Sequence, residues 1–271
     1  MLQNLHTHTR FCDGNDTPKE LVDAAISKGF DSLGFSSHAP TSLRDDCEMS
    51  NTDQYIRNIS TLKDEYSEKI ELFLGVELDY YSKGLINPRD FDYSISSVHY
   101  SVLPNGNIIT YDHSPERTEK HITEDFAGDG LAYARSYFER VSLLTKETDV
   151  AFVGHFDLVS KFSDIRPDFF DTESILYRSY AMEALHTLSE RFDFFEVNTG
   201  AIARGFKRTP YPAPFILEEM RKLKTKLVLT SDCHRKGMLD FSFKEAREYL
   251  ISHGFDELYF LTKNGFVGEK I

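Results

Sequence analysis

Near its start the chain carries the run His6-Thr7-His8-Thr9-Arg10-Phe11-Cys12-Asp13-Gly14, with two histidines one residue apart. Side chains alternate along an extended segment, so His6 and His8 face the same side. Two imidazoles at a strand's end make half of a metal site. Asp13, in a loop closed by Gly14, falls within reach of a further position. Further along stand His38, Glu77, His99, His155 and the pair Asp232 and His234. Imidazole suits zinc, iron and manganese, while carboxylates favour harder ions and can bridge two of them. The nine groups are too many for one tetrahedral site. They match two or three divalent ions with open positions for water and substrate. Three acids, Asp13, Glu77 and Asp232, against three such ions leave a locally positive cavity, suited to a small anion and above all a phosphate.

The elements that must hold these residues alternate between strand and helix. Strands are expected at 2–5, 32–36, 71–78, 93–99, 149–154, 194–198, 226–231 and 257–261. Helices are expected at 18–28, 52–67, 131–145, 173–191, 214–223 and 242–253. The first helix has Thr17 as N-cap, Pro18 in its first turn and Glu20 three residues after the cap, and it stops at Gly29. A polar loop follows His38, and the pattern is lost between 101 and 130. There Pro104-Asn105-Gly106-Asn107 reads as a turn joining two short strands in a long excursion. Seven or eight strand–helix units without an internal repeat or linker predict an α/β parallel barrel in a single domain, 1–271, with its site at the strands' C-terminal ends. An open doubly wound sheet is the alternative, but no GxGxxG follows the first strand. On the barrel, six of the ten histidines fall at or just beyond strand ends. Buried histidines with one good hydrogen bond could sit anywhere; their accumulation at one rim points to ligation.

Bulk properties narrow the partners. The 271 residues are 40% hydrophobic and 28% charged, enough for a substantial core. A net charge of -13 argues against a nucleic-acid backbone as partner, since such binding is driven by Lys and Arg. Cys12, Cys47 and Cys233 show no CxxC spacing and are odd in number, which suits a reducing compartment; Cys12 and Cys233 read as packing residues rather than nucleophiles. With no signal-like segment and no long apolar run, the expected location is the cytoplasm, with no membrane partner. No pattern specifies an oligomeric state.

His6-x-His8, His38, Glu77, His99, His155 and Asp232-x-His234 resemble the ordered motifs of the polymerase-and-histidinol-phosphatase (PHP) superfamily of metal-dependent phosphoesterases. The likeness runs from residue 6 to residue 234. Gly154-His155-Phe156-Asp157, Ser231-Asp232-Cys233-His234 and the chain's length place it nearest the stand-alone histidinol-phosphate phosphatases. The resemblance implies a distorted (β/α)7 barrel with up to three ions. It assigns His6, His8, Glu77 and Asp232 to the first, Glu77, His99 and His155 to the second, and Asp13, His38 and His234 to the third. Some members have a histidine where Asp13 stands, and the acid favours a harder third ion.

The implied reaction is hydrolysis of L-histidinol phosphate, a small phosphorylated amino alcohol, through attack by a metal-bridging hydroxide. Glu77, Asp232 and His234 are the residues expected to carry the catalysis. Cations beside the ligands, Arg204, Lys161 and more weakly Arg10, are candidates to contact the phosphate. The excursion, with Tyr111, Asp112 and His113, is placed to wall the site; His113, His121, His186 and His253 are left out of it. Within the same superfamily, a nucleotide or phosphotyrosine phosphatase, or an exonuclease, is the alternative. A non-catalytic metal-bound module is a third reading, opposed by the intact ligand set.

Overall fold

The chain's strands are β1 (Gln3–Asn4), β2 (Ser32–Phe35), β3 (Glu71–Asp79), β4 (Tyr93–Ser97), β5 (Tyr100–Val102), β6 (Ile108–Thr110), β7 (Ala151–Val153), β8 (Phe194–Asn198), β9 (Lys226–Thr230), β10 (Glu257–Thr262) and β11 (Gly265–Lys270). Its helices are α1 (Pro18–Ser27), α2 (Thr52–Glu65), α3 (Pro115–Asp125), α4 (Gly130–Val141), α5 (Ile175–Ser189), α6 (Gly200–Ala203), α7 (Pro214–Leu223) and α8 (Phe243–Ser252). The computed structural model describes residues 1–43 and 47–271, so part of the polar loop expected after His38 lies outside the described residues.

Seven strands form one sheet in the order β1-β2-β3-β4-β7-β8-β9, every neighbouring pair parallel. An isolated parallel bridge between Thr7 and Cys233 joins the two ends of this row, which makes it a nearly closed barrel. The distorted (β/α)7 barrel expected from the sequence is the fold found. Such strands are covered on both sides, which is why β2 and β4 read as buried throughout, and β9 beyond Lys226, rather than alternating.

Inside the barrel, period two sorts each strand into a lumen row and a helix-facing row. Along β3, Phe73, Gly75 and Glu77 share the lumen face, while Leu72, Leu74, Val76 and Leu78 pack outward under α1 and α2. The lower lumen is apolar, filled by Leu5, Phe73, Tyr93, Ile95, Phe152, Val228 and Leu261. Tyr93 crosses it and donates to the carbonyls of Leu5 (2.5 Å) and Phe35 (3.1 Å). A Cβ on Gly75 would lie 2.2 Å from the Tyr93 ring, so the strand needs glycine there. The candidate ligands come above this plug.

The surrounding helices form for local reasons. In α1 the Thr17 side chain and Glu20 make a reciprocal capping box, and Pro18, Leu21, Val22 and Ala25 recur on one buried face.

Two differences from the sequence expectation have physical causes. The segment at 257–261 is not an eighth barrel strand: β10 pairs antiparallel with β11, and this hairpin closes the bottom of the lumen. Gln3 docks it, donating to the Leu261 carbonyl and accepting from the Leu261 amide, both at 2.8 Å. The excursion at 101–130 holds the expected hairpin, β5 with β6, but also α3. That helix buries only Thr118, His121 and Ile122, too few apolar positions for a helical period to show. Its start was readable, since Ser114 caps the Arg117 amide and Pro115 occupies the first turn.

Candidate active site

The first ligand pair sits beyond the regular part of β1. Leu5 belongs to the apolar lumen, yet His6 and His8 also face inward. The change of parity occurs where Asn4 Oδ1 accepts the His6 amide (3.0 Å), a local turn that breaks the strand. From there His8 donates its amide to the Cys233 carbonyl (2.8 Å), and Cys233 returns its own to the His6 carbonyl (2.9 Å). Gly14 packs on this backbone, where a Cβ would come within 2.5 Å of the His8 carbonyl carbon. Asp232 holds a left-handed backbone, φ 48°, an uncommon conformation for a residue with a side chain, which turns the chain at the rim.

Four atoms converge there. His6 Nε2 lies 3.2 Å and His8 Nε2 3.5 Å from Glu77 Oε2; Asp232 Oδ1 lies 3.8 Å and 3.3 Å from the same two nitrogens. The edge of a tetrahedron around an ion with ordinary bonds to N and O is roughly 3.3–3.6 Å. His6 Nε2, His8 Nε2 and Glu77 Oε2 are all buried without a hydrogen-bond partner. Buried polar atoms are seldom left so, and their shared focus is the size of a metal ion.

Glu77 divides its two oxygens. Oε2 faces His6, His8 and also His38 Nδ1 (3.0 Å), whereas Oε1 faces His155 Nε2 (2.9 Å) and His99 Nε2 (3.5 Å). A third group forms at the outer rim. His234 Nε2 is 3.1 Å from Asp13 Oδ2, and His38 Nε2 and His8 Nδ1 are 3.8 Å and 3.7 Å from Asp13 Oδ1. All nine candidate ligands therefore meet at one mouth, in overlapping sets able to hold a metal ion.

Acids beneath them set the field. The Glu196 carboxylate is fully buried and lies 2.5 Å from His6 Nδ1, while Asp79 accepts the His99 amide at 2.7 Å. Burial works against a charge on His6, but Glu196, Glu77 and Asp232 outweigh it and raise its pKa well above 6.5. His8 moves the other way, pushed down to about 3 by burial and by the neighbouring His234 and His38. Glu77, opposed by burial, is held well below 4.5 by His6, His38 and His99. Against burial, Arg204 and then His6 hold Asp232 below its ordinary range.

The mouth opens into a cavity of about 670 Å³, of the size that takes a small-molecule ligand. Of the cations expected near a phosphate, two line it. Arg204 Nη2 donates to Asp232 Oδ2 (2.7 Å), and Lys161 Nζ donates to the Asp112 carbonyl and carboxylate (2.7 and 3.1 Å). Arg10 is placed elsewhere: exposed, it donates to the Asn15 carbonyl, outside the lining. His113, set aside in the sequence reading, does line the cavity, because the chain leaving β6 passes over the rim with Asp112. Tyr111 next to it turns into the core, its hydroxyl on Ser101 Oγ (2.8 Å). His121, His186 and His253 pair with Asp125, Glu219 and the Tyr249 carbonyl, away from the site. Glu196 was missed; an acid within an apolar strand, Phe194-Phe195-Glu196-Val197, was the available signal.

Residues 4–200 match the PHP domain family. The chain belongs to that family. A histidinol-phosphatase of Bacillus subtilis is 28% identical over 261 residues, spanning 88% of this chain and 96% of that one. A crystal structure of a candidate histidinol phosphatase from Listeria monocytogenes shares the fold, with a TM-score of 0.75 at 22% identity, over 90% of this chain and 99% of that one. So does histidinol phosphate phosphatase from Lactococcus lactis, crystallised with zinc, L-histidinol and phosphate (TM-score 0.67, 19% identity, 98% of both chains). The PHP barrel described here has a donor set that fits divalent ions: imidazoles facing carboxylates in bridging-type geometry, with His6 Nε2, His8 Nε2 and Glu77 Oε2 free of hydrogen bonds.

Proposed function

We propose that this protein is a metal-dependent phosphomonoesterase that hydrolyses L-histidinol phosphate to L-histidinol and phosphate. The observation that carries the chemistry is that His6 Nε2, His8 Nε2 and Glu77 Oε2 stand unpartnered at metal-ligand separations beneath an open cavity lined by Glu77 and Asp232. The substrate follows from PHP membership together with a near full-length histidinol-phosphatase relative.

In this reading, whose grouping follows the family resemblance, His6, His8, Glu77 and Asp232 hold one ion, Glu77 with His99 and His155 a second, and Asp13, His38 and His234 a third. Zinc, manganese or iron suits these donors. Bound there, the ions supply an activated water and positive charge against the phosphoryl oxygens. The protein's own part is placement. Glu77, with an oxygen toward each of two groups, sets their separation; Asp232 and His234 close the floor and rim. Arg204 offers guanidinium hydrogens at the cavity wall beside Asp232, and Lys161 stands behind Asp112. The Asp112 carboxylate suits the substrate's ammonium, and Tyr100 and Phe206 supply aromatic wall for its imidazole.

The test is phosphate release by the purified chain, loaded in turn with zinc, manganese and iron, from histidinol phosphate, nucleoside monophosphates and phosphotyrosine. Histidinol phosphate is expected to have the highest kcat/KM. Equal turnover of all three classes overturns the substrate, and no turnover by fully loaded protein overturns the enzyme.

A further inference from the structure

Glu196 lies one layer below the metal-binding rim, on the lumen face of β8, and the reaction as described does not use it. Its carboxylate is fully buried and receives four contacts. Oε1 faces His6 Nδ1 (2.5 Å) and accepts from Thr230 Oγ1 (2.6 Å); Oε2 accepts from the His155 amide (2.6 Å) and from Asn198 Nδ2 (3.0 Å). Asn198 is fixed in that orientation, because its Oδ1 accepts the Gly200 amide at 2.8 Å. The His155 amide and Asn198 Nδ2 can only donate, and the Thr230 hydroxyl donates to Oε1, so both oxygens act as acceptors and the carboxylate has the full set of contacts an ionised acid can take. The proton between Glu196 and His6 then sits on Nδ1. In the neutral imidazole that a metal ion requires, Nε2 is then the bare lone pair, and that nitrogen is the one aimed at Glu77 and Asp232.

We infer that Glu196 is a positioning residue serving two candidate metal positions from one carboxylate: it locks His6 in the Nδ1-protonated form and pins the backbone of His155. His155 in turn places Nε2 2.9 Å from Glu77 Oε1. A ligand imidazole whose far nitrogen donates to a carboxylate is both oriented and made more basic. The inference rests on the reading of His6 and His155 as ligands, but not on the identity of the substrate.

The chemistry also says why glutamine would not serve. Its amide group would turn donor hydrogens against either His6 and Thr230 or the His155 amide and Asn198.

The test uses the full chain, with zinc as probe and no substrate. Glu196→Gln should weaken zinc binding by about 10–100-fold in competition with a chromophoric chelator. Thr230→Val removes a donor to the same carboxylate but leaves the His6 contact, and should change affinity far less. Equal losses in the two variants would mean a general packing role and overturn the inference, as would native affinity in a folded Glu196→Gln. Should that variant fail to fold, the native protein decides. Proton–nitrogen spectra of the zinc-loaded chain should show His6 protonated at Nδ1, and ligation through Nδ1 would sink the proposal. A chain that passes these tests yet ignores histidinol phosphate would refute the proposed substrate and leave the role of Glu196 standing.

Discussion

Thr7 and Cys233 face each other across a parallel bridge at the seam of the barrel. Residues flanking such a pair point to the opposite side, so His6 and His8 from one strand end meet Asp232 and His234 from the other. A backbone ladder of two hydrogen bonds, 2.8 and 2.9 Å, thus brings together side chains more than two hundred positions apart.

Glu77 is the residue on which the cluster depends most. Among the described residues it is the one acid placed 2.9–3.5 Å from nitrogens of His6, His8, His38, His99 and His155. Glu77→Ala should lose bound metal and phosphatase activity together, read by elemental analysis and phosphate release on the same sample. Full turnover by a metal-loaded variant would defeat the assignment.

Arg204 should separate from the ligands in its effect. Its guanidinium touches Asp232 and lines the cavity without belonging to any ligand group. Arg204→Ala is expected to lower kcat/KM by on the order of 10²–10³, the usual cost of losing a donor to developing charge. Metal content should stay near the native level. A variant that lost its metal instead would make Arg204 a support for Asp232.

Acid and base should act oppositely on the metal-free and loaded protein. Burial opposes the charged forms of His6, His38 and His99, but neighbouring carboxylates raise all three above 6.5. Each then adds stability that is full below 6.5 and lost as pH climbs through its raised value. His8, lowered to about 3, does the reverse, costing stability as pH falls from 6.5 toward that value. Glu77 and Asp232, lowered from 4.5 and 3.8, contribute above those values and lose their contribution in stronger acid. With three raised histidines against one lowered, the metal-free chain should be most stable between 4.5 and 6.5 and weaken above that. Zinc binding, which needs neutral imidazoles, should strengthen over the same rise. Melting curves with and without chelator from about pH 5 to pH 9 would show this; a metal-free optimum on the alkaline side would contradict it.

Gln3 should matter to stability alone. It is buried and ties the β10–β11 hairpin to the barrel through two bonds to Leu261 and a third to Ser32 Oγ (2.7 Å). Gln3→Ala leaves the buried Leu261 amide and carbonyl unpaired, at about 1–3 kcal/mol for each such group. Denaturant titration should register the loss while zinc affinity holds.

How much of this was legible in the chain differs from residue to residue. His38, Glu77, His99, His155, Asp232 and His234 could be found because each lies near or just beyond the C-terminal end of a strand, a pattern visible within a dozen positions. The bounds of β8 and α7 match expectation for the same local reason, and Pro214 marks where the helix starts. Other features have no local sign. Arg10 lies between two candidate ligands in the chain but points off the rim, while His113, far from any ligand in sequence, comes to the cavity. Nothing near Asn4 announces the parity change that turns His6 inward, and nothing near Glu196 says that its side of β8 is the lumen.

The order of residue types along the chain therefore determined the chemistry available: imidazoles and acids at strand ends, a barrel of alternating units, a preference for divalent ions and phosphate. Which oxygen meets which nitrogen was decided by barrel closure alone. Period-two alternation assigns a residue to one of two faces, but only the closed ring of strands makes one of those faces an interior where charges must find partners.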